Sequence, residues 1–428
     1  MRLPATGAID RLLKTRAALV LSILVAFAAL AYLGQKTFFD PINGYDFRYI
    51  WLAGRVWGAG QNPYDASFVT QFRGTFGFEN GTWAYPPHWL VIAVPLSKLP
   101  LEEAALLWRI ISAACLIAIW AMALLIFRQF RPNALPVPVR LLLLASIAFL
   151  QAVPICLSMG QTSLLITAGA MLFYFGAIFR RSWCIVLGTL ILTLKPQLAI
   201  VPIVGTFALG LMRREILIGV TTAAAASIPA LVIGGIWQTA TGFLESIRGY
   251  GSVKFNTSQF TTGLPHLLKR AFDIDAPNLL YIAIGVAVTA LASLWIKRSR
   301  ASLAEDLHAR TFVVLTVFPA LTCFFIPLHD HDAVAIIPAM LVAFATAGPA
   351  RALMLVGLAT AYRSLNSAEA LDFLWYGRTT ADHLMATESL LLSIAYALVL
   401  VGVTMVLLRL PRGPLAGPFV GTDSALGL

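Results

Sequence analysis

Residues 44–90 read GYDFRYIWLAGRVWGAGQNPYDASFVTQFRGTFGFENGTWAYPPHWL. This segment gathers charged side chains between apolar stretches, namely Asp46, Arg48, Arg55, Asp65, Arg73, Glu79 and His88. It is also rich in Trp, Tyr and Gly, and it carries two turn signals, Asn62-Pro63 and Pro86-Pro87. We predict a partly helical loop against a membrane surface, which carries the functional site and is held by the rest of the chain.

The chain around this segment is strongly apolar. Hydrophobic residues make up 59 % of the 428 and charged residues 12 %, with a mean hydropathy of +0.81. Soluble domains carry about 25 % charged residues, so the composition predicts an all-α integral membrane protein. At about 20 apolar residues per span, the chain has room for about 12 transmembrane helices.

Basic residues occur in short clusters between the apolar runs, a layout typical of cytoplasmic loops. A nucleic-acid-binding protein would instead present a basic face, so the net charge of +11 does not indicate nucleic acid as a partner. The clusters predicted to be cytoplasmic are Arg2 to Arg16, Arg128 to Arg140, Arg180-Arg181, Arg213-Arg214, Lys297 to Arg300 and Arg409 to Arg412.

The apolar runs between these clusters predict the spans and put both termini on the cytoplasmic side. Residues 84–98 are short and interrupted by prolines, so we predict an interfacial or re-entrant piece; if it spans, 351–363 is not a span. Residues 1–412 then form one domain with an outer loop at 35–100, and 413–428 form a disordered tail. The predicted spans lie near 17–34, 101–127, 141–158, 162–179, 183–198, 199–212, 215–236, 277–296, 310–327, 333–348, 351–363 and 387–408.

Asp46 leads the candidate site residues. Apolar positions recur at helical spacing from Phe47 to about Trp57, so Asp46 stands near a helix start. It is either a helix cap or a general base, because a carboxylate at a water-poor interface can take a proton from an attacking hydroxyl. Arg48 and Arg55 either tune its pKa or bind lipid headgroups.

Lys195, in TLKPQLAI, is a cation within a predicted helical hairpin. Ionisable groups at membrane depth are costly and often functional, and an ammonium suits a phosphate ligand. The alternative is a lysine that snorkels to the interface. The Gly160-Gln161 turn adds an amide that can contact a polar ligand.

His329-Asp330-His331-Asp332 is dense in potential metal ligands. Four contiguous side chains rarely converge on one ion, so we predict no metal site here. Instead, one histidine and one carboxylate would hold a phosphate or sugar hydroxyls, while the others cap the next helix. The four cysteines are also not a metal site, because none has CxxC spacing.

Six motifs follow one another along the chain: DxxY at Asp46, GxNPY at Gly60, YPP at Tyr85, GQxSLL at Gly160, LKPQL at Leu194 and HDHD…IIPA at His329. In this order they resemble the bacterial glycosyltransferase family 87 of the GT-C superfamily, over about residues 10–410. The family contains polyprenyl-phosphate-mannose-dependent mannosyltransferases, and the resemblance implies a multispanning GT-C bundle with an outer juxtamembrane loop. No cofactor is expected, because the leaving group would be a phosphate of low basicity that cationic side chains suffice to stabilise.

By this resemblance, Asp46 is the base, Lys195 lies close to the donor phosphate, and His331 lies near the active site. Relatives often carry an aromatic residue before this histidine and a second histidine after it, and this chain departs from that pattern. The other residues expected on the donor side are Arg48, Gln161, Asp332 and His329, and those expected to contact the acceptor or support the loop are Tyr49, Arg55, Tyr64, Tyr85 and His88.

The expected activity is inverting transfer of a mannose-like hexose from a polyprenyl-phosphate donor. The acceptor would be a hydroxyl of a lipid-linked glycan or cell-envelope polymer, on the outer face of the bacterial inner membrane. The alternative is a transporter or flippase for a lipid-linked sugar or polyol. Transporters commonly contain internal repeats, and this sequence has no evident repeat.

Overall fold

The structure is a computed structural model that describes residues 15–39, 45–77, 82–130, 136–299, 306–343, 348–376 and 380–409. The described chain is 85 % helical and contains no strand, in agreement with the all-α prediction. Within it, the one β-type pairing is an isolated bridge between Thr262 and Leu328. The predicted tail 413–428 and most of the predicted N-terminal cytoplasmic segment lie outside the described residues.

Short helices alternate with long apolar ones along the chain. A 3₁₀ turn covers Pro87–Trp89, and another covers Asp330–Ile336. The α-helices are α1 (Arg16–Gly34), α2 (Phe47–Gly58), α3 (Ala66–Phe76), α4 (Leu90–Ser97), α5 (Leu101–Phe130), α6 (Val137–Ala148), α7 (Ala152–Met159), α8 (Ser163–Phe179), α9 (Ser182–Leu192), α10 (Pro196–Leu209), α11 (Arg213–Gly234), α12 (Ile236–Ser252), α13 (Leu264–Phe272), α14 (Asn278–Ser299), α15 (Leu307–Phe312), α16 (Phe318–Phe325), α17 (Ile337–Ala343), α18 (Gly348–Tyr362), α19 (Ser364–Tyr376) and α20 (Ala381–Arg409).

Five helices of the described chain are long and apolar enough to cross a membrane: α1, α5, α11, α14 and α20. The pair α6 and α7, bent by 55°, makes a sixth if it is one span. The chain is thus a membrane protein, but the predicted count of about 12 spans is not confirmed. Several predicted spans coincide with apolar helices of 10–17 residues, which at 1.5 Å per residue fall short of the ~30 Å hydrocarbon core.

The centre of the molecule is the segment that leads into the 3₁₀ turn at Asp330. Every side chain from 309 to 323 is buried, and α16 packs against α10, α14 and α20. Large apolar side chains on α1, α11 and α14 are exposed instead, Phe27 and Val232 among them. A buried core surrounded by exposed apolar helices is the arrangement expected in lipid.

The segment between α1 and α5 contains a cluster of packed aromatic side chains. Trp57 meets Trp83 edge to face with ring centroids 5.6 Å apart, and Phe68 and Phe72 are buried beside them. The helices α2 and α4 touch closely at Gly54, where a Cβ atom would lie 2.1 Å from the carbonyl oxygen of Ala93. The eight residues of α4 extend about 12 Å, too short to cross a membrane.

Candidate active site

Asp46 directly precedes α2, but its side chain does not cap that helix. The residue has helical φ and ψ (−81°, −27°), and its carboxylate makes no hydrogen bond to the first turn. The carboxylate instead accepts a hydrogen bond from Nε2 of Gln161. Its backbone N–H donates to the carbonyl of Met159 at 3.0 Å, so Asp46 is tied to the end of α7.

The turn at Gly160 allows this contact. Gly160 ends α7 with φ +70°, a conformation that favours glycine. A Cβ atom at this position would lie 2.6 Å from the Cβ of Phe47, so glycine also permits the close approach of the turn to α2. Nε1 of Trp108 donates to the Gly160 carbonyl at 2.9 Å. Gln161, next in the chain, is thereby held beside Asp46.

The same turn reaches a second group of polar side chains through Ser163. Nζ of Lys195 lies 2.5 Å from Oδ1 of Asp332 and 3.1 Å from Oγ of Ser163. The Ser163 hydroxyl donates to that same Oδ1 at 2.6 Å. Lys195 is 4 % exposed and Asp332 is fully buried, so this is a buried, hydrogen-bonded ion pair.

Lys195 stands at a break between α9 and α10. A residue before proline is disfavoured in the helical region, and Lys195, with φ −133° and ψ 84°, precedes Pro196. The carbonyl of Leu194 accepts a hydrogen bond from Nε1 of Trp89 at 2.8 Å. Nε2 of His88 lies 3.3 Å from Oγ1 of Thr193. The His88-Trp89 pair therefore supports the turn that carries the lysine.

The 3₁₀ turn after His329 presents the remaining charged groups. The Asp332 carboxylate contacts the backbone N–H of His329 at 3.5 Å. The two ring nitrogens of His331 face carboxylates, with Nδ1 3.3 Å from Asp330 and Nε2 3.8 Å from Asp332. In the described part of the chain, no three His, Cys, Asp or Glu side chains are arranged to hold a metal ion.

The surroundings shift the two carboxylates in opposite directions. Burial raises the pKa of Asp46, and the charges of His331 and Lys195 and the Gln161 hydrogen bond offset this only in part. Burial also acts to raise the pKa of Asp332, but Lys195 and His331 outweigh it and hold that pKa below its ordinary range. Separated pKa values suit one carboxylate to proton transfer and the other to a fixed negative charge.

The histidines also differ. Burial acts to lower the pKa of His331, but the carboxylates of Asp332 and Asp330 outweigh it and raise that pKa. Burial, together with the charge of His331, lowers the pKa of His329 to about 4. The two rings stack with centroids 5.4 Å apart. His331 is thus the better candidate for a cation facing an anionic ligand.

Two residues near the site, Tyr250 and Ser163, were not predicted from the sequence. Tyr250 lies in the last turn of α12 and is 40 % exposed. Burial raises the pKa of its phenol, and the nearby carboxylates of Asp46 and Asp332 raise it further. No sequence pattern marks it. Ser163 lies within the GQxSLL motif, where it could have been singled out as a hydroxyl next to Gln161.

Most of the residues predicted to support the loop pack against other side chains of the loop. Tyr49 stacks on Phe72 at 4.2 Å. Arg48, which was predicted on the donor side, has its guanidinium 5.3 Å from the centre of the Phe76 ring. The Tyr64 hydroxyl donates to the carbonyl of Tyr85 at 2.5 Å.

Among these residues, Tyr85 interacts electrostatically with Asp46, and burial raises the pKa of its phenol. Arg55 lies over Trp51 instead, with its guanidinium 4.9 Å from the ring centre. The structure thus brings together Asp46, Gln161, Lys195, His331 and Asp332, with Tyr85 at the edge of the group.

Comparison with known families gives the classification. The model of glycosyltransferase family 87 matches residues 83–327, more than half of the 428. The chain belongs to glycosyltransferase family 87. This confirms the resemblance drawn from the motifs, and the protein is a glycosyltransferase that uses a sugar donor and an acceptor.

The matched region contains Gln161 and Lys195, whereas Asp46 and the residues from His329 to Asp332 flank it on either side. Searches among curated proteins and among solved structures found no match. The candidate site therefore combines residues from inside the matched region with residues from both sides of it.

Proposed function

We propose that this family 87 member is an inverting transferase that moves a mannose-like hexose from a polyprenyl phosphate to a hydroxyl. The acceptor is a lipid-linked glycan or a cell-envelope polymer. The observation that carries the proposal is the half-buried Asp46, whose pKa is raised, facing the cationic Lys195 and His331 in one site. A base and an anion-binding side within reach of each other are what such a transfer needs.

The proposed reaction is a single in-line displacement. The acceptor oxygen attacks the anomeric carbon and forms the new C–O bond, while the bond from that carbon to the phosphate oxygen breaks. The hydroxyl proton goes to the Asp46 carboxylate, and the electron pair of the broken bond stays on the phosphate. One displacement inverts the configuration at the anomeric carbon.

The cationic side of the site would stabilise the departing phosphate. An ammonium has three N–H donors, and Lys195 uses two of them on Asp332 and Ser163, which leaves one for the donor. His331 adds a second positive charge when protonated. Asp332 holds both cations in place, because its fully buried carboxylate pairs with Lys195 and lies 3.8 Å from Nε2 of His331.

A free hydrogen-bond acceptor next to the base supports the location of the acceptor hydroxyl. Oε1 of Gln161 is buried and has no hydrogen-bond partner in the described chain, while Nε2 of the same amide is used on Asp46. A buried unpaired carbonyl oxygen costs about 1–3 kcal/mol. A substrate hydroxyl that donates to it would relieve that cost.

The topology proposed with this function puts the site on the outer, periplasmic face of the bacterial inner membrane and both termini in the cytoplasm. Its support is the spread of basic clusters in the sequence, which follows the positive-inside pattern.

The test is transfer by the purified full-length protein from a panel of radiolabelled polyprenyl-phosphate sugars, scored for released polyprenyl phosphate. We expect release from the mannosyl donor and a product of inverted configuration by NMR. Release from no donor in the presence of membrane-lipid acceptors would contradict the proposed donor class. A retained configuration would contradict the single displacement.

A further inference from the structure

A second polar feature lies on the loop, away from Asp46. An open groove of about 580 Å³ lies where α2 and α4 end together, next to the start of α5. Its walls include Trp51, Arg55, Ser97, Lys98 and Leu99. This volume falls within the range of about 300–1,000 Å³ typical of small-molecule sites.

The groove carries positive charge without a negative counterpart. Arg55 and Lys98 are both exposed, and neither has an ion-pair partner among the described residues. No acidic side chain belongs to the groove wall; Glu102 and Glu103, in the first turn of α5, are not part of it. Two uncompensated cations facing one cavity favour an anionic ligand.

The groove walls are held in place. Nε1 of Trp51 donates to the carbonyl of Leu99 at 3.0 Å, which fixes α2 to the turn after α4. The Arg55 guanidinium lies over the Trp51 ring. Stacking occupies one face of the guanidinium and leaves its N–H edge available, which is the geometry that binds a phosphate with two hydrogen bonds.

The depth of the groove in the membrane indicates the ligand. The groove residues Lys98, Leu99 and Pro100 stand directly before Leu101, where the apolar span α5 begins. The end of a span lies at the level of the lipid headgroups. Val94 of α4 adds an apolar side chain to the groove wall.

We propose that this groove binds the phosphate of an anionic phospholipid headgroup. Arg55 is nine residues beyond Asp46, about 14 Å along α2 at 1.5 Å per residue, so the lipid site is separate from the transfer site. A bound headgroup would fix one end of the helix whose other end carries Asp46. The proposal does not depend on the sugar or on the acceptor.

The test is equilibrium binding of short-chain phosphatidylglycerol to the full-length protein in detergent, read by native mass spectrometry. The variant is Arg55→Gln with Lys98→Gln. The matched control is Arg73→Gln with Arg248→Gln, which removes two exposed cations on α3 and α12 that are not part of the groove wall. At the usual contribution of a basic residue near a lipid surface, we expect the groove variant to bind on the order of 10-fold to 30-fold more weakly. The control should change less than about twofold.

An equal loss in both double variants, or no loss in the groove variant, would overturn the proposal. If the double variant does not fold, Lys98→Gln alone tests the groove, because Lys98 is exposed and its side chain makes no hydrogen bond to another described residue. It should still weaken lipid binding several-fold, and unchanged binding would overturn the proposal. Inorganic phosphate is the second arm. Displacement of the lipid by phosphate at matching concentration would identify a free-phosphate site and overturn the lipid assignment.

Discussion

Replacement of Asp46 by Asn separates a general base from a structural carboxylate. The fold should tolerate the change, because the side chain makes no helix-capping bond that would be lost. The new amide N–H can donate to Oε1 of Gln161, which is buried and unpaired in the described chain, once the Gln161 amide turns over. A hydrogen bond between the two amides would replace the one seen with the carboxylate, at a net difference of about 1 kcal/mol.

The effect on stability has a defined sign. Burial raises the pKa of Asp46 in the folded protein. The stabilisation that the protonated side chain provides is therefore fully present below the unfolded pKa, and it is lost as the pH rises through the folded pKa. At pH 7 the ionised carboxylate therefore disfavours the fold, and Asp46→Asn should keep or raise the Tm. Its effect on catalysis should be opposite, with turnover falling by a factor on the order of 10² or more, equal to about 2.7 kcal/mol of transition-state stabilisation.

The assay measures kcat and KM for sugar transfer across pH, with the Tm of each variant as the folding control. For the native protein, kcat/KM should rise with pH through a pKa above the ordinary aspartate range, and this limb should disappear in Asp46→Asn. Asp65→Asn is the matched control, since Asp65 also precedes a loop helix, is exposed and makes no capping bond. Near-native turnover in Asp46→Asn would refute the base. Equal impairment of Asp65→Asn would point to the loop's folding instead.

Three further expectations concern the ion pair, the turn and the topology. Lys195→Gln or Asp332→Asn alone should destabilise the protein by about 3–5 kcal/mol in thermal unfolding, because each leaves a buried charge unpaired. The double variant should regain most of this stability, and additive losses would contradict a direct pair. Gly160→Ala should lower the free energy of unfolding by about 2 kcal/mol or more and abolish most of the transfer activity. Gly77 also has a positive φ (+75°) but open space around it, so Gly77→Ala should lose stability and keep its activity. Equal activity losses would contradict the role of the Phe47 contact. A cysteine at Thr70 should react with a membrane-impermeant thiol reagent from outside, and one at Arg214, in the first turn of α11, only from inside. The reverse labelling would contradict the proposed orientation.

The sequence located the helix start at Asp46 but not the partner of its side chain. Apolar spacing is a local signal, so it predicts where α2 begins. The Gln161 amide comes from 115 residues away, and no local pattern reveals it. The structure shows that the Asp46 side chain makes no capping bond to α2, and its role as a general base stays a proposal.

The number of spans could not be predicted reliably from the sequence, for a related reason. An apolar run predicts a buried helix, yet the run predicted as a span at 183–198 contains a break between α9 and α10. Pro196 was the only visible sign of that break, and hydropathy does not register it. Tyr250 was missed because an isolated tyrosine on a partly exposed helix has no motif around it.

The buried pair of Lys195 and Asp332 has a consequence for how the chain is made. The two residues are 137 positions apart, and ribosomes add about 5–20 residues per second, so the lysine waits about 7–27 s for its carboxylate. During that interval its ammonium is without the counter-ion that makes burial tolerable. The segment from α9 to α10 must therefore stay hydrated or remain beside the insertion machinery until residue 332 has emerged. The site is therefore completed late in synthesis, and a nascent chain stopped short of Asp332 contains Lys195 without its counter-ion.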